Sequence, residues 1–364
     1  MSQTAAPDLP VKPDRAFYPL RVARVEPLTD DSAAVSFDVP EGLGPRFAFA
    51  PGQSLTIRRL VDGRDERRSY SICAPAGRAP RIGVREVPGG VISGWLVREV
   101  RPGDVVEVQP PAGAFTPDLT RAGRHVLIGA GSGITPLLSI ARSVLAARDD
   151  TTVTLIYANR RSDTVMFADE IADLKDAHPD RTQVVHVLSR EPQEVDLFTG
   201  RLDPAKLRQL LPASVDVAGV DHWWLCGPFA LVTAAGELLA ELGVEPGRIH
   251  RELFYVEEAP PAEVHHVDAP AGPGAEVTVV LDGRASAVTV PPGTPVLDAA
   301  QRVRPGLPFA CKGGVCGTCR ALVRSGTAHM RRNYALEPAE VAAGYVLTCQ
   351  AIPESDTLLV DYDA

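Results

Sequence analysis

Four of the six cysteines lie towards the C-terminus, with the spacing Cys-x4-Cys-x2-Cys-x29-Cys. They are Cys311, Cys316, Cys319 and Cys349. Three thiolates from one loop and a fourth from a distant segment form the ligand set of a plant-type [2Fe–2S] cluster. A structural zinc site is the alternative, but zinc sites usually carry two Cys-x-x-Cys pairs, and here only Cys316 and Cys319 form one. The spacing therefore predicts an iron–sulfur centre.

Three glycines, Gly313, Gly314 and Gly317, lie in the same loop. A chain that surrounds a compact cluster must turn tightly, and glycine permits backbone conformations that other residues disfavour. Backbone N–H groups can then approach the sulfur atoms and stabilise the reduced cluster. The composition of the loop agrees with the prediction from the spacing.

Two segments nearer the N-terminus could bind an anionic cofactor. Residues 68–71 (Arg-Ser-Tyr-Ser) are predicted on a strand, and residues 89–93 (Gly-Gly-Val-Ile-Ser) lie near a helix start. N–H groups at a helix N-terminus bind phosphate, and an arginine adds a charge-assisted contact. The Arg-Ser-Tyr-Ser motif is short, and the alternative to an anion-binding site is that it belongs to an ordinary exposed strand.

A glycine-rich stretch at 128–136 follows a predicted strand and opens a predicted helix. It departs from G-x-G-x-x-G, because Thr135 and Pro136 stand where a third glycine would be sought. Its position still predicts a site for a dinucleotide pyrophosphate. Cys-Gly-Pro at 226–228 ends a later strand, where a small buried thiol is the alternative to a functional one.

The elements that position these residues fall into three groups. Short strands separated by turns predict an antiparallel β-barrel at 17–117. Strands that alternate with helices predict a doubly wound parallel sheet at 118–256. A segment rich in Pro and Gly at 257–274 is expected to be a flexible linker. The last part, 275–364, begins with two strands and a helix at 294–303 before the cysteine loop.

These motifs resemble the ferredoxin–NADP⁺ reductase superfamily. Residues 68–71 and 89–93 are similar to its FAD domain, and Cys-Gly-Pro with Glu-Leu-Phe at 252–254 is similar to its nicotinamide domain. The cysteine loop, together with residues 330–334 and 344–350, resembles the C-terminal ferredoxin domain of some members. The resemblance implies a multidomain fold: a FAD-binding β-barrel, an α/β NAD(P) domain and an α+β β-grasp ferredoxin domain.

The resemblance also implies roles for individual residues. Arg68 would bind the FAD pyrophosphate, Tyr70 would pack on the isoalloxazine, and Ser71 would hydrogen-bond near flavin N5. Ser71, Cys226 and Glu252 are the expected catalytic residues. Phe254, where Tyr is frequent in the family, would shield the flavin. The full set of expected cofactor-binding residues is Arg68, Ser69, Tyr70, Ser71, Val84, Arg85, Gly90, Val91, Ile92, Ser93, Gly129, Gly131, Ser132, Gly133, Thr135, Ser189, Arg190, Cys226, Gly227, Pro228 and Phe254.

The pair Ser189-Arg190 resembles the 2′-phosphate contact of NADP-specific members, and arginine can bind a phosphate through two parallel hydrogen bonds. NADPH is therefore the expected donor, with NADH the possible alternative.

Composition excludes several classes of protein. The net charge of −9 over 364 residues argues against a nucleic-acid partner. No apolar run is long enough to span a membrane. The first fifteen residues lack the apolar region of a secretory signal, so a cytoplasmic location is expected.

The order of sites predicts an electron-transfer chain from nicotinamide to FAD to [2Fe–2S]. The sequence contains no recognisable oxygenation centre, so substrate oxidation is expected on a partner, an oxygenase component of the di-iron type. The resemblance of the cysteine loop and of residues 330–334 and 344–350 implies that the partner is an epoxidase of phenylacetyl-CoA, with a steroid-ring hydroxylase as the alternative. A metal-binding redox sensor is the alternative from another class. An acidic docking surface is expected from Glu337, Glu340, Glu354, Asp356, Asp361 and Asp363.

Overall fold

The computed structural model describes residues 16–255, 274–336 and 338–364. Three main sheets follow one another along the chain. Of the segment expected to be a linker, 257–274, all but Gly274 lies outside the described residues. No helix of the described part is long and apolar enough to cross a membrane.

The N-terminal sheet is antiparallel, with strand order β4-β3-β6-β1-β2-β5. Its elements are β1 (Tyr18–Thr29), β2 (Ser32–Asp38), α1 (Gly44–Phe47), β3 (Ser54–Val61), β4 (Arg64–Ser71), β5 (Arg81–Arg85), α2 (Val91–Arg98) and β6 (Val105–Ala112). An antiparallel bridge between Ile72 and Ile82 links the two outer strands and closes the sheet into a barrel. Apolar side chains of several strands fill its interior, among them Leu20, Phe37 and Leu55.

The central sheet is parallel, with strand order β11-β10-β7-β8-β9. Its elements are β7 (Arg124–Ala130), α3 (Ile134–Ala147), β8 (Thr152–Asn159), α4 (Ala168–Ala177), β9 (Thr182–Leu188), α5 (Pro204–Ser214), β10 (His222–Pro228), α6 (Phe229–Glu241) and β11 (Ile249–Tyr255). Helices cover both faces, so β7 is buried along five consecutive residues, as expected of a strand without a solvent face. The predicted doubly wound sheet is confirmed.

The C-terminal sheet has mixed strand directions and the order β13-β12-β18-β14-β16, beside a two-stranded sheet of β15 and β17. Its elements are β12 (Ala275–Leu281), β13 (Arg284–Val290), α7 (Val296–Ala300), β14 (Arg320–Ser325), β15 (Ala328–Met330), α8 (Pro338–Ala342), β16 (Tyr345–Leu347), β17 (Ala351–Pro353) and β18 (Thr357–Asp361).

The helix predicted at 294–303 is shorter than expected. It begins after Pro295 and ends at Ala300. Pro305 cannot continue a helix and disfavours helical geometry at the residue before it. The prediction was therefore correct about the element and wrong about its length.

Candidate cofactor sites and the junctions between them

The cysteine loop runs from the end of α7 to β14, and Cys349 follows β16. Cys319 and Cys349 are buried, whereas Cys311 and Cys316 are half-buried. Thr348 ties the two segments together, because its N–H and its hydroxyl both donate to the Cys319 carbonyl, at 3.1 and 2.9 Å. The Tyr362 hydroxyl lies 2.7 Å from the Thr348 hydroxyl. The fourth cysteine is thus held beside the first three by hydrogen bonds.

The four thiols meet in two pairs. Cys311 contacts Cys316, and Cys319 contacts Cys349. The hydrogen bond from Cys316 lowers the pKa of Cys311 to about 5, and the hydrogen bond from Cys319 lowers the pKa of Cys349. Two thiol pairs suit two irons better than one zinc.

Glycines shape the loop as the sequence predicts. Gly314 and Gly317 have φ of +81° and +67°, a region that other residues adopt only with strain. A Cβ on Gly314 would lie 3.2 Å from the Arg332 carbonyl oxygen. The Gly313 N–H donates to the Cys311 sulfur at 3.3 Å, which stabilises negative charge there.

Strand β4 carries the residues expected to bind the flavin. Arg68 is exposed at the barrel surface, with its guanidinium 3.4 Å from the Glu66 carboxylate and donating to the Arg67 carbonyl at 2.6 Å. The Ser69 hydroxyl lies 3.2 Å from that of Thr56. Tyr70 is half-buried, and burial raises the pKa of its phenol. The hydroxyl of Ser71 donates to the Glu252 carboxylate at 3.2 Å.

The phosphate-binding turn expected at 89–93 leads into α2. The Ser93 hydroxyl accepts from the Val87 N–H at 3.1 Å and lies 3.4 Å from the Gly90 carbonyl, so it fixes the turn itself. A Cβ on Gly90 would lie 2.4 Å from this hydroxyl. Val91 is exposed and Ile92 is buried. The first N–H groups of α2, which have no partners within the helix, face the turn.

Arg85 extends from the barrel towards the central sheet. Val84, its neighbour on β5, is buried in the barrel. The Arg85 guanidinium donates to Asp31 at 3.2 Å and to the Thr164 carbonyl at 2.7 Å. A Cβ on Gly131 would lie 3.0 Å from Arg85 Nη1. This side chain therefore lies over the glycine-rich loop of the central sheet.

The glycine-rich loop packs directly on the Cys226 segment. A Cβ on Gly133 would lie 2.3 Å from the Cys226 carbonyl oxygen, and one on Gly129 would lie 2.6 Å from Leu137. The Thr135 hydroxyl donates to the Ser132 carbonyl at 3.0 Å. Only glycine fits at position 133, because the atoms it approaches are backbone atoms of residues 226 and 227.

Cys226 and Glu252 lie side by side on the paired strands β10 and β11. The Cys226 sulfur is 4.0 Å from the Glu252 carboxylate. Burial raises the pKa of Glu252 to about 8, and burial followed by the nearby carboxylate raises that of Cys226. Gly227 has φ of +148°, and Pro228 precedes the first residue of α6. Phe254 is half-buried against the core around α3.

Ser189 and Arg190 follow β9 at the carboxyl edge of the central sheet. The Ser189 N–H donates to the Asn159 carbonyl and the Arg190 N–H to the Arg160 carbonyl, at 2.9 and 2.8 Å. The side chains of Arg160 and Arg190 are both exposed. The sequence analysis did not single out Arg160. This residue follows β8 as Ser189 follows β9, and the ends of adjacent parallel strands meet at one edge of the sheet.

Arg67, which the sequence analysis did not single out either, joins the barrel to the C-terminal sheet. The side chain is only 6% exposed and donates to the Asp65 carboxylate at 3.0 and 2.6 Å. It also donates to the Leu307 carbonyl at 3.3 Å. The guanidinium carbon lies 4.3 Å from the centre of the Phe309 ring, two residues before Cys311. No local pattern marks a contact across 240 residues.

A second contact to the C-terminal sheet comes from Phe229, the first residue of α6. Its ring meets that of Tyr334 edge to face, with centroids 5.1 Å apart. The Tyr334 N–H donates to the Gly314 carbonyl at 3.0 Å. The cysteine loop thus contacts both other parts of the chain.

Comparisons with known proteins agree with this division. Residues 19–116 match the family described as Oxidoreductase FAD-binding domain, residues 127–237 the Oxidoreductase NAD-binding domain, and residues 279–354 the 2Fe-2S iron-sulfur cluster binding domain. The chain is 40% identical to one of the subunits of 1,2-phenylacetyl-CoA epoxidase from Escherichia coli, over 96% of this chain and 98% of that protein. The chain belongs to the ferredoxin–NADP⁺ reductase superfamily.

Two further relatives cover nearly the whole chain. The ferredoxin reductase component of 3-ketosteroid-9-alpha-monooxygenase from Rhodococcus rhodochrous is 32% identical over 94% of this chain and 96% of its own length. Phthalate dioxygenase reductase, at 24% identity, shares the fold with a TM-score of 0.59 over 95% of this chain and 98% of that one. The chain is a flavin iron–sulfur oxidoreductase whose cofactors are FAD, a [2Fe–2S] cluster and a nicotinamide nucleotide.

Four of the six side chains expected to form an acidic surface on the C-terminal domain have partners within that domain. Glu340 pairs with Arg320, Glu354 lies 3.1 Å from His329, and Asp361 pairs with Arg324 at 2.9 Å. The Asp363 carboxylate accepts two backbone N–H groups. Glu337 lies outside the described residues. Arg320 and Arg324 offset two of these charges, and the acidic docking surface stays a prediction.

Proposed function

We propose that this chain is an NADPH-dependent reductase that passes single electrons through its cluster to an oxygenase component. The observation that carries the proposal is that one strand, β4, contacts both other domains. Ser71 at its end hydrogen-bonds Glu252 of the nicotinamide domain, and Arg67 near its middle contacts Leu307 and Phe309 beside the cysteine loop. Residues of a strand are about 3.3 Å apart, so the two junctions are only about 13 Å apart along β4.

The nicotinamide supplies a hydride, FAD accepts two electrons and releases them singly, and the cluster carries one electron. The chain's own residues provide placement and a dry environment. We assign Arg68, Tyr70 and the start of α2 to FAD. Ser71, Glu252 and Cys226 are assigned to the junction where flavin and nicotinamide meet. Since burial raises the pKa of Glu252 to about 8, its carboxyl is neutral at pH 7 and places no negative charge there.

We assign the phosphates of the nucleotide to three arginines. Arg85 lies over the glycine-rich loop, where the helix start of α3 favours a pyrophosphate. Arg160 and Arg190 stand together at the sheet edge, where the adenosine end of a dinucleotide binds in this fold. Two exposed guanidinium groups there favour the 2′-phosphate of NADPH.

Coenzyme choice tests this assignment directly. We expect Arg190→Ala, and Arg160→Ala similarly, to raise the KM for NADPH by about 10- to 150-fold, because a charge-assisted contact contributes about 1.5–3 kcal/mol. The KM for NADH should change by less than about twofold. Arg208→Ala, which removes an exposed arginine of α5 paired with Glu241, is the control. Equal native kinetics with both coenzymes would contradict the assignment.

We assign Cys311, Cys316, Cys319 and Cys349 as cluster ligands, one thiol pair to each iron. The paired arrangement of the thiols supports this assignment. The domain boundaries 17–117, 118–256 and 275–364 are proposed with it, since the three family matches fall within them. A redox sensor would need no second and third cofactor domain, so the reductase is favoured.

We propose the oxygenase component of phenylacetyl-CoA epoxidase, a di-iron enzyme of the cytoplasm, as the partner. The support is the 40% identity to a protein that belongs to that epoxidase system. A steroid-ring monooxygenase is the second candidate, supported by the 32% identity to its reductase.

Reconstitution separates the two candidates. The purified holoenzyme is mixed with NADPH and with each oxygenase component and its substrate, and product is measured against NADPH consumed. We expect coupled turnover with the epoxidase component. Coupling with the steroid component alone would reassign the partner, and NADPH oxidation without product in either case would contradict an oxygenase partner.

A further inference from the structure

A short segment, residues 330–334, wraps the cysteine loop on its outer side. The Arg331 N–H donates to the Gln350 carbonyl, and the Tyr334 N–H donates to the Gly314 carbonyl, both at 3.0 Å. The Gln350 side chain in turn donates to the Lys312 carbonyl at 2.8 Å. The Arg332 carbonyl packs against Gly314. This segment is therefore the protein surface next to the cluster ligands.

The segment carries two adjacent cations, Arg331 and Arg332. Both side chains are exposed in the whole chain, and no described residue forms a salt bridge or a side-chain hydrogen bond with either. By contrast, Glu340 and Asp361 of the same domain pair with Arg320 and Arg324, and Glu354 lies beside His329. The charge that is free beside the cluster is thus positive, although the whole chain has a net charge of −9.

Arg331 and Arg332 themselves make none of the contacts described above with the other two domains, although Tyr334 of the same segment makes one of them. Those contacts use Leu307 and Phe309, which meet Arg67, and Tyr334, which meets Phe229. Arg331 and Arg332 remain exposed while these contacts are made.

We propose that Arg331 and Arg332 form the docking surface for the oxygenase, and that the partner presents an acidic surface to them. The proposal rests on the proposed function and names the chemistry of its partner. Opposite charges around a redox centre steer the encounter and set its register. The interaction weakens with salt, since the Debye length falls from about 10 Å at 0.1 M to about 3 Å at 1 M.

Charge reversal in the full-length holoenzyme tests the proposal. Arg331→Glu/Arg332→Glu is compared with Arg331→Lys/Arg332→Lys and with Arg284→Glu/Arg302→Glu. The last variant makes the same charge change at two exposed arginines of this domain away from residues 330–334, of which Arg284 lies on the opposite edge strand β13. The dissociation constant for the epoxidase oxygenase component is measured at low and high salt, beside the visible spectrum and NADPH–ferricyanide reduction.

We expect the Arg331→Glu/Arg332→Glu variant to bind about tenfold or more weakly at low salt, with spectrum and ferricyanide reduction unchanged. The dissociation constant of the Arg331→Lys/Arg332→Lys variant should lie within about threefold of that of the native chain. The Arg284→Glu/Arg302→Glu variant should bind like the native chain. Native affinity that survives charge reversal, or an equal loss in the Arg284→Glu/Arg302→Glu variant, would overturn the docking surface alone. A native chain that binds and reduces no oxygenase component would instead overturn the proposed function.

Discussion

Cysteine appears in two functional regions of this chain, and the two environments shift the thiol pKa of Cys226 and of Cys311 in opposite directions. Cys226 ends a central parallel strand, fully buried beside the Glu252 carboxyl, and burial raises the pKa of its thiol. Cys311 lies in a loop of the C-terminal domain, where the Cys316 thiol and backbone N–H groups lower its pKa to about 5. The first region keeps a neutral thiol. In the second, one thiol of each pair has a lowered pKa, while its donor, Cys316 or Cys319, has a raised one.

The difference follows from hydrogen-bond donors rather than from burial. Cys349, like Cys226, is buried, yet its pKa is lowered because the Cys319 thiol donates to it. The nicotinamide junction offers Cys226 no such donor and places a carboxyl beside it. Thiolates bind metals, whereas a neutral thiol provides a small apolar contact. The environment thus separates the hydride site from the metal site, although both use the same residue type.

The largest expected effect is on the metal site and leaves the hydride site unchanged. Cys349→Ser removes one thiol of the Cys319 pair, so we expect loss of most iron and acid-labile sulfide and of nearly all oxygenase-coupled turnover. NADPH–ferricyanide reduction should stay within about twofold, because the flavin and nicotinamide sites are untouched. Iron analysis and the two assays measure this.

Cys73→Ser is the matched control for that variant, since Cys73 is a buried thiol of the barrel whose sulfur donates to the Arg81 carbonyl at 3.2 Å. It should retain full iron content. Zinc without sulfide in the native protein, or full iron in the Cys349→Ser variant, would show that the ligand assignment is incorrect.

An intermediate effect is expected on the hydride site alone. Glu252→Ala removes the acceptor of the Ser71 hydroxyl, and we expect flavin reduction by NADPH to slow by about 10²-fold, at the low end of what a positioned acid or base contributes. Glu252→Gln resembles the neutral acid in shape and should retain most of the rate at pH 7. Stopped-flow absorbance at constant cluster content measures both. A Gln variant as slow as the Ala variant would mean that the ionised form is the active one.

The smallest expected effect concerns stability and pH. The Glu252 pKa rises from 4.5 to about 8 on folding, so the folded chain holds an extra proton between these values. The free energy of unfolding should therefore fall as pH rises from about 4.5 to 8, by on the order of a few kcal/mol. Glu252→Gln should remove this decline. The melting temperature of the central domain, followed by fluorescence of Trp223 and Trp224 in β10, measures it, and parallel declines in both proteins would refute it.

The sequence predicted the order of the three sheets and the residues of the local motifs. Positions such as Gly314, Gly317 and Cys349 could be found because their chemistry is written in spacing and residue type. The sequence did not predict Arg67 or Arg160. Their importance depends on which segments meet in space, and a single arginine on a strand or after one carries no distinguishing local pattern.

Sequence alone determined which cofactors this chain can hold, since a ligand set needs particular atoms at particular separations along a loop. The tertiary structure decided how the sites join. It placed Ser71 against Glu252 and Arg67 against Leu307, so that one strand serves both transfers. It also paired Glu340 and Asp361 of the last domain with arginines of that domain and left Arg331 and Arg332 exposed. Net charge is a sum over the sequence, but the charge that a partner meets depends on which groups remain unpaired after folding.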